Sequence, residues 1–173
     1  TICLRGHADI PHRSFDENMI VEKKDGTLWM LTRTFDGIGE SFSNDGGYTW
    51  TPGRKSHIDG PCSRFHIRRL KSGRLLMINH YQFDQRIDLD DIMRQGNVKS
   101  WKGRSHLTAL LSEDDGKTWP YTLLLDERNE VSYPDAKEAA DGYIYVTYDW
   151  ERVTQREILM ARFTEEDILK GQL

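Results

Sequence analysis

The sequence has little of several features that would place it in other classes of protein. Its two cysteines, Cys3 and Cys62, form no metal-type pair and leave the redox compartment open. No apolar run resembles a transmembrane span. The spacing of His7, Asp9 and His12 fits no specific metal site, so neither a metal nor a cofactor is expected.

The charge balance also excludes a partner class. A formal net charge of −4 gives no general basic field that would attract phosphate backbones or anionic lipids, so nucleic acid is not an expected partner. An anionic ligand would have to be bound by individual arginines.

One eight-residue pattern occurs twice, as SNDGGYTW at residues 43–50 and as SEDDGKTW at residues 112–119. Both copies read Ser-x-Asp-x-Gly-x-Thr-Trp, and they resemble the Asp box of the sialidase (neuraminidase) β-propellers. In such a turn the Asp carboxylate accepts hydrogen bonds from nearby amides, Gly adopts a positive φ, and Trp packs beneath the turn. The boxes are therefore predicted to be structural, because each Asp is needed by its own turn.

A second pattern of strand, tight turn and strand occurs three times, with turn glycines at Gly26, Gly73 and Gly142. After the first two hairpins a third strand runs into an Asp box, and after the last the chain enters a short helix capped by Thr164. We predict an all-β chain of about three blades, roughly residues 14–52, 60–120 and 130–164. These blades form one partial propeller domain over residues 1–173, with no separate second domain.

Three blades do not close a ring, because propellers have about four to eight. The chain is interpreted as the C-terminal part of a sialidase-like propeller of about six blades, whose upstream blades would be its structural partners. Two chains that together form one ring are the alternative.

The second interval between turn glycines is longer than the first, 69 residues against 47. The added length predicts a loop at residues 81–103 that extends from the rim, with a short helical turn at residues 88–93. This loop either covers the substrate or an inter-domain contact, or it is a plain surface loop.

The turn glycines give a register for comparing the three units. Nine positions before them stand Glu17, Arg64 and Tyr133, and seven positions after them stand Arg33, His80 and Asp149. The first set opens the inner strand of each blade and the second ends the antiparallel neighbour, so both belong to the same end of the propeller axis. Arg104, just before the third strand of the second unit, joins this rim. The seven side chains are the candidate site residues.

The rim resembles the sialidase active site residue by residue. Glu17 and Arg33 lie in a stretch similar to the one that bears the family's catalytic Glu and one arginine of a triad. Arg104 lies in a segment similar to that of the next triad arginine, and Tyr133 in one similar to that of the nucleophilic tyrosine. Two features depart from the family: Pro134 follows the tyrosine where Ser is usual, and Arg64 is additional. The remaining triad arginine and the catalytic Asp acid would lie upstream.

The resemblance implies a retaining exo-sialidase that releases a terminal sialic acid from glycans. Sialic acid has a carboxylate on its anomeric carbon, which repels a carboxylate nucleophile but not a neutral phenol. A free phenol ionises only near pH 10 and needs a neighbouring base. Tyr133 would thus be the nucleophile and Glu17 its base. Arg33 and Arg104, and next Arg64, would bind the carboxylate through bidentate hydrogen bonds.

Two other functions stay open. One is hydrolysis or lyase chemistry on another acidic sugar, such as a uronic acid, with Tyr133 and His80 as acid and base. The other is a non-catalytic glycan-binding or scaffold propeller. His80 and Asp149 complete the predicted substrate-binding set, with an ordinary structural role as the alternative. The expected partner is a sialylated or other acidic glycan, and the chain alone is expected to be inactive. A secreted or periplasmic location follows from the family resemblance only.

Overall fold

The computed structural model describes residues 6–82 and 103–171, in which the chain forms three antiparallel β-sheets and one short helix. The predicted all-β class with about three blade-like sheets is confirmed. The helical turn predicted at residues 88–93, most of the long loop and Cys3 lie outside the described residues.

The first sheet has four strands in sequential order: β1 (Arg13–Glu22), β2 (Leu28–Thr34), β3 (Gly37–Ser43) and β4 (Arg54–Lys55). The predicted tight turn joins the first two strands. Gly26 has a φ of +85° there, and its N–H donates to the Lys23 carbonyl at 3.0 Å. Glycine adopts this φ without the Cβ clash of other residues, so the turn fixes a register in which Ile20 lies opposite Met30.

The second sheet repeats this arrangement: β5 (His66–Arg69), β6 (Leu75–His80), β7 (Leu107–Ser112) and β8 (Tyr121–Asp126). The third sheet contains, within the described residues, three strands: β9 (Val131–Glu138), β10 (Tyr143–Trp150) and β11 (Glu157–Thr164). Its central strand is β10. The third unit therefore differs from the four-stranded pattern of the other two.

The helix α1 (Glu165–Lys170) follows β11 directly. Thr164 caps it as predicted, because its side-chain oxygen accepts from the Asp167 N–H at 3.3 Å while the Asp167 carboxylate accepts from the Thr164 N–H at 2.7 Å. The helix packs on β8 and so ties the end of the third unit to the second sheet. No helix in residues 6–82 and 103–171 is long and apolar enough to cross a membrane.

The Asp boxes have the predicted structural role. The Asp45 carboxylate accepts from the Thr49 N–H at 2.9 Å and from the Thr49 hydroxyl at 2.6 Å. Asp114 makes the same contacts with Thr118, at 2.9 and 2.7 Å. The hydrogen bonds from these threonines lower the pKa of each Asp carboxyl to about 2, which keeps both ionised in their own turns.

The core lies in two layers, one on each side of the second sheet. Leu75 and Met77 of β6 point towards the first sheet and pack with Trp29 in one cluster. The alternate residues Leu76 and Ile78 point the other way and pack with the third sheet. β6 is consequently buried on both faces. Each buried aliphatic side chain contributes roughly 1.5–3 kcal/mol to the free energy of folding. These two layers therefore hold the three sheets packed face to face.

Candidate functional site

Two residues predicted from the register to meet do so. Glu17 lies on β1 and Tyr133 on β9, 116 residues apart, and the Tyr133 hydroxyl donates to Glu17 Oε1 at 2.7 Å. Arg33, on β2, donates from Nη1 to Glu17 Oε2 at 2.6 Å and lies 3.4 Å from the Tyr133 oxygen. One carboxylate, one phenol and one guanidinium therefore form a single hydrogen-bonded group that links β1 and β2 of the first sheet to β9 of the third.

A β-bulge directs Tyr133 towards this group. Tyr133 and Pro134 together lie opposite the single residue Tyr148, since Asp149 pairs with Ser132 and Thr147 with Asp135. Proline has no N–H for the ladder, which makes a bulge the natural way to accommodate it inside a strand. Tyr133 has a φ of +57°, in the left-handed region that non-glycine residues rarely adopt. The bulge thus holds the Tyr133 backbone in this strained conformation near the start of β9.

The environment of Glu17 keeps it ionised. Burial raises the pKa of its carboxyl, but the hydrogen bonds from Arg33 and Tyr133 more than offset this effect, so the pKa lies below its usual value. A carboxylate that already accepts the hydroxyl proton of a tyrosine is placed to remove that proton. The arrangement therefore has the geometry of a phenol with its general base.

Arg33 is almost fully buried, with 1% of its surface exposed. Its Nε donates to the Cys62 sulfur at 3.4 Å, and the thiol donates to the Ser14 hydroxyl at 3.3 Å. Burial lowers the pKa of the guanidinium, but Cys62 and Glu17 together raise it above its usual value. The Arg33 guanidinium is thus positively charged and is held in place by Cys62 at Nε and by Glu17 at Nη1.

Arg104 lies near Arg33 and is 4% exposed. One Nη2 hydrogen bond goes to the Cys62 carbonyl at 3.2 Å, and the guanidinium carbon is 5.8 Å from the centre of the Tyr133 ring. Burial and the positive charge of Arg33 lower the pKa of Arg104 to about 10. Guanidinium groups bind carboxylates through charge-assisted hydrogen bonds, so this corner of the site has the chemistry to bind one.

The remaining predicted residues are Arg64, His80 and Asp149. Arg64 is half-buried and two positions before His66, and its charge is one of the effects that lower the pKa of that histidine, after burial. His80 is 1% exposed, with Nδ1 3.0 Å from the Ser105 carbonyl and Nε2 3.1 Å from the Ser63 hydroxyl. Burial lowers the pKa of His80 to about 4, so its ring is neutral at ordinary pH. Both of its nitrogens are occupied by protein atoms, which fits the structural alternative.

Asp149 lies beside Arg152, a residue next to Tyr133 that the sequence analysis did not predict. Its carboxylate is 3.9 Å from Arg152 Nε, and the Arg152 guanidinium carbon lies 4.0 Å from the centre of the Tyr133 ring. Arg152 belongs to the loop between β10 and β11, where the repeat register gives no equivalent position. The only sequence signal for Arg152 is its position three residues after the predicted site residue Asp149.

Cys62 and the pair His66–Asp135 were also missed. Cys62 lies in the connection between the first two sheets and contacts both buried arginines. His66 Nδ1 is 2.9 Å from an Asp135 carboxylate oxygen, but the two groups are not aligned for a hydrogen bond. This contact joins β5 to β9, because Asp135 lies two residues after Tyr133. Burial lowers the pKa of His66 to about 4 in spite of this carboxylate.

A cleft of about 620 Å³ lies between the first and second sheets. Cys62 and His80 form part of its wall, whereas Glu17 and Tyr133 do not. The cleft therefore reaches the side of the site where Cys62 supports the arginines. Across residues 6–82 and 103–171, no group of three His, Cys, Asp or Glu side chains is arranged to hold a metal ion.

Comparison with known proteins places the chain in a family. The family model for the BNR repeat-like domain matches residues 12–146. Among solved structures, the intramolecular trans-sialidase of Ruminococcus gnavus aligns with a TM-score of 0.59 at 20% identity, over 88% of this chain and 33% of that one. The leech intramolecular trans-sialidase aligns with a TM-score of 0.62 at 17% identity, over 89% of this chain and 24% of that one.

A third solved structure, a protein of unknown function from Dyadobacter fermentans, gives a TM-score of 0.59 at 21% identity, over 90% of this chain and 39% of that one. No curated protein matches the sequence. The chain thus spans about a third of the length of the first of these structures, and at these identities the likeness concerns the fold. The match over residues 12–146 is decisive for the family: the chain belongs to the BNR repeat-like domain family.

Proposed function

We propose that this chain is part of a sialidase-type glycoside hydrolase that releases a terminal sialic acid from glycans, with Tyr133 as the nucleophile. The observation that carries the proposal is the 2.7 Å hydrogen bond from the Tyr133 hydroxyl to Glu17. A scaffold has no evident need for a tyrosine held in a left-handed backbone against an ionised carboxylate.

In the proposed first step, the Tyr133 oxygen attacks the anomeric carbon and Glu17 takes the phenolic proton. The bond from the anomeric carbon to the leaving oxygen breaks, and an acid from outside this chain protonates that oxygen. Water then attacks the same carbon and gives a proton to the conjugate base of that acid, the bond from the carbon to the Tyr133 oxygen breaks, and Glu17 returns its proton to the phenolate. Two displacements retain the configuration of the sugar.

The substrate carboxylate would bind between Arg33 and Arg104, since both guanidinium groups are fixed by Cys62 and lie beside Tyr133. Burial in a low-dielectric surrounding strengthens each charge-assisted hydrogen bond. Arg64, half-buried at the start of the neighbouring inner strand, is proposed as a further substrate contact.

His80 and Asp149 enter the proposal as supports of the binding residues. His80 holds Ser105, the residue after Arg104, through its carbonyl. Asp149 faces Arg152 beside the nucleophile. The occupied nitrogens of His80 weigh against the alternative in which it acts as an acid or base in lyase chemistry.

Further blades are proposed as the structural partners of this chain. The outer face of the third sheet exposes 79% of Ile158 and 61% of Met160, and the first sheet exposes 51% of Ile20. Such apolar side chains on a sheet face are typical of a surface that packs on another sheet. Upstream blades on these faces would supply the catalytic acid and a third arginine, so the 173-residue chain alone is expected to be inactive.

The test uses a longer chain that includes the upstream blades. A sialoside with a fluorescent leaving group measures turnover, and a fluorinated sialosyl fluoride traps the covalent intermediate for peptide mass spectrometry. The expected results are a sialosyl adduct on Tyr133, and a fall in kcat of about 10²- to 10⁴-fold in Glu17→Gln. Tyr145→Phe, a half-buried tyrosine of β10, is the matched control for Tyr133→Phe.

Two results would overturn the proposal. An adduct on another residue, or full turnover in Tyr133→Phe, would remove the assigned nucleophile. Hydrolysis of an aryl uronide but not of the sialoside would retain the mechanism and change the sugar.

A further inference from the structure

Arg152 covers one face of the Tyr133 ring. Its guanidinium carbon is 4.0 Å from the ring centre, well within the distance of about 6 Å at which a cation is attracted by the ring face. Arg104 also lies within that range, at 5.8 Å. With Arg33 3.4 Å from the hydroxyl oxygen, the phenol has three guanidinium groups around it.

The backbone around Arg152 is ordered by its own contacts. The Thr154 and Arg156 N–H groups both donate to the Glu151 carbonyl, at 3.0 and 2.9 Å, and the Glu151 N–H donates to the Glu130 carbonyl at 3.2 Å. Asp149, 3.9 Å from Arg152 Nε, adds an electrostatic restraint from the end of β10. The loop backbone is therefore fixed on both sides of Arg152, and the side chain contacts Asp149 and the Tyr133 ring.

We infer that Arg152 is a positioning residue for Tyr133, which keeps the phenol aligned with Glu17 and stabilises the negative charge that grows on it. The inference rests on the proposed function. As Glu17 takes the proton, charge develops on the ring and oxygen, and a cation over the ring face attracts the charged form more strongly than the neutral one. The same holds when the tyrosine leaves the glycosyl intermediate, so both steps benefit.

The assignment differs from substrate binding in a measurable way. A residue that acts through Tyr133 changes kcat and leaves KM nearly constant, because both chemical steps slow together. A residue that contacts the substrate carboxylate changes KM. Arg152 is 38% exposed in its side chain and contacts Asp149 and Tyr133, which fits the first case.

The first experiment uses the 173-residue chain, labelled with ¹³C at the ζ carbon of tyrosine, which gives seven NMR signals. Loss of one signal in Tyr133→Phe assigns it. Arg152→Gln is expected to shift the Tyr133 signal and leave the others in place. Arg162→Gln is the matched control, because Arg162 is exposed and stacks on Tyr143 at 3.5 Å on the same sheet.

The second experiment repeats these variants in the longer chain. Arg152→Gln is expected to lower kcat roughly 3- to 30-fold with KM within about twofold, and Arg152→Lys to recover part of the loss. Arg162→Gln is expected to have no effect. An unshifted Tyr133 signal overturns the inference, as does a fall in kcat/KM that comes wholly from KM.

The two proposals fail separately. If the longer chain hydrolyses no sialoside while Arg152→Gln still shifts the Tyr133 signal, the proposed function is wrong and the link between Arg152 and Tyr133 stands. If turnover is normal and neither measurement responds to Arg152, the link is wrong and the function stands.

Discussion

Replacement of Glu17 by Gln tests the site through stability, without any substrate. Glu17 accepts hydrogen bonds from Arg33 at 2.6 Å and from Tyr133 at 2.7 Å. Breaking a fully buried ion pair costs about 3–5 kcal/mol. The Glu17 side chain is 22% exposed, so solvent screens part of the interaction, and the amide oxygen of Gln still accepts one hydrogen bond. We expect a loss of about 2 kcal/mol at pH 7.

The pH dependence gives the sign of the effect. The pKa of Glu17 is lower in the folded chain than in the unfolded one, because Arg33 and Tyr133 outweigh the effect of burial. The ionised carboxylate therefore stabilises the fold above its unfolded pKa of about 4.5, and this contribution is lost as the pH falls through the folded pKa. The difference between the wild-type chain and Glu17→Gln should shrink below about pH 4.

Urea unfolding at pH 7 and at pH 3.5 measures this difference. At an m-value of about 2 kcal/mol/M, a loss of about 2 kcal/mol moves the midpoint by roughly 1 M. Titration of the histidines is common to both chains and cancels in the comparison. Glu22→Gln is the matched control, since Glu22 lies exposed on the same strand. An equal loss in the control, or a difference that is independent of pH, would refute the reasoning.

Two further predictions concern contacts that hold the site and the last strand. Cys62→Ala removes the acceptor of the Arg33 Nε hydrogen bond and should cost about 2 kcal/mol in urea unfolding, whereas Cys62→Ser should cost less because its hydroxyl can accept that bond. Equal losses would contradict this. Thr164→Ala removes the cap of α1 and should cost about 1 kcal/mol in the same assay, with faster amide exchange at Asp167 as the local measurement.

The sequence predicted the centre of the site because a repeat transfers register from one unit to the next. Gly26 and Gly142 close equivalent turns, so equal spacing before each places Glu17 and Tyr133 at corresponding points of the inner strands of the first and third units. Antiparallel pairing then brings Arg33 to the same end. Each step depends only on the pairing of antiparallel strands, whose register is fixed by the turn residues.

Register fixes where a residue lies along a strand but not what surrounds its side chain. His80 ends β6 as its repeat position required, yet both ring nitrogens are bonded to Ser105 and Ser63. Cys62 and Arg152 lie in connections between strands, where no repeat equivalent exists. The bulge at Tyr133 was signalled only by Pro134, which the sequence analysis treated as a departure from the family. Contacts across sheets in such loops depend on the folded arrangement.

The burial of Arg33 and Arg104 beside Tyr133 is consistent with the proposed binding of an anionic sugar. Both guanidinium groups are buried, at 1% and 4% exposure, and burial together with the charge of Arg33 lowers the pKa of Arg104 to about 10. A chain selected only for a stable propeller would gain by placing apolar side chains of similar volume there. The burial is instead maintained next to a tyrosine whose left-handed backbone is itself unfavourable. In the proposed function, an anionic sugar bound at Tyr133 would stabilise the charge of Arg104, and the strained backbone of Tyr133 would hold the phenol in position for reaction.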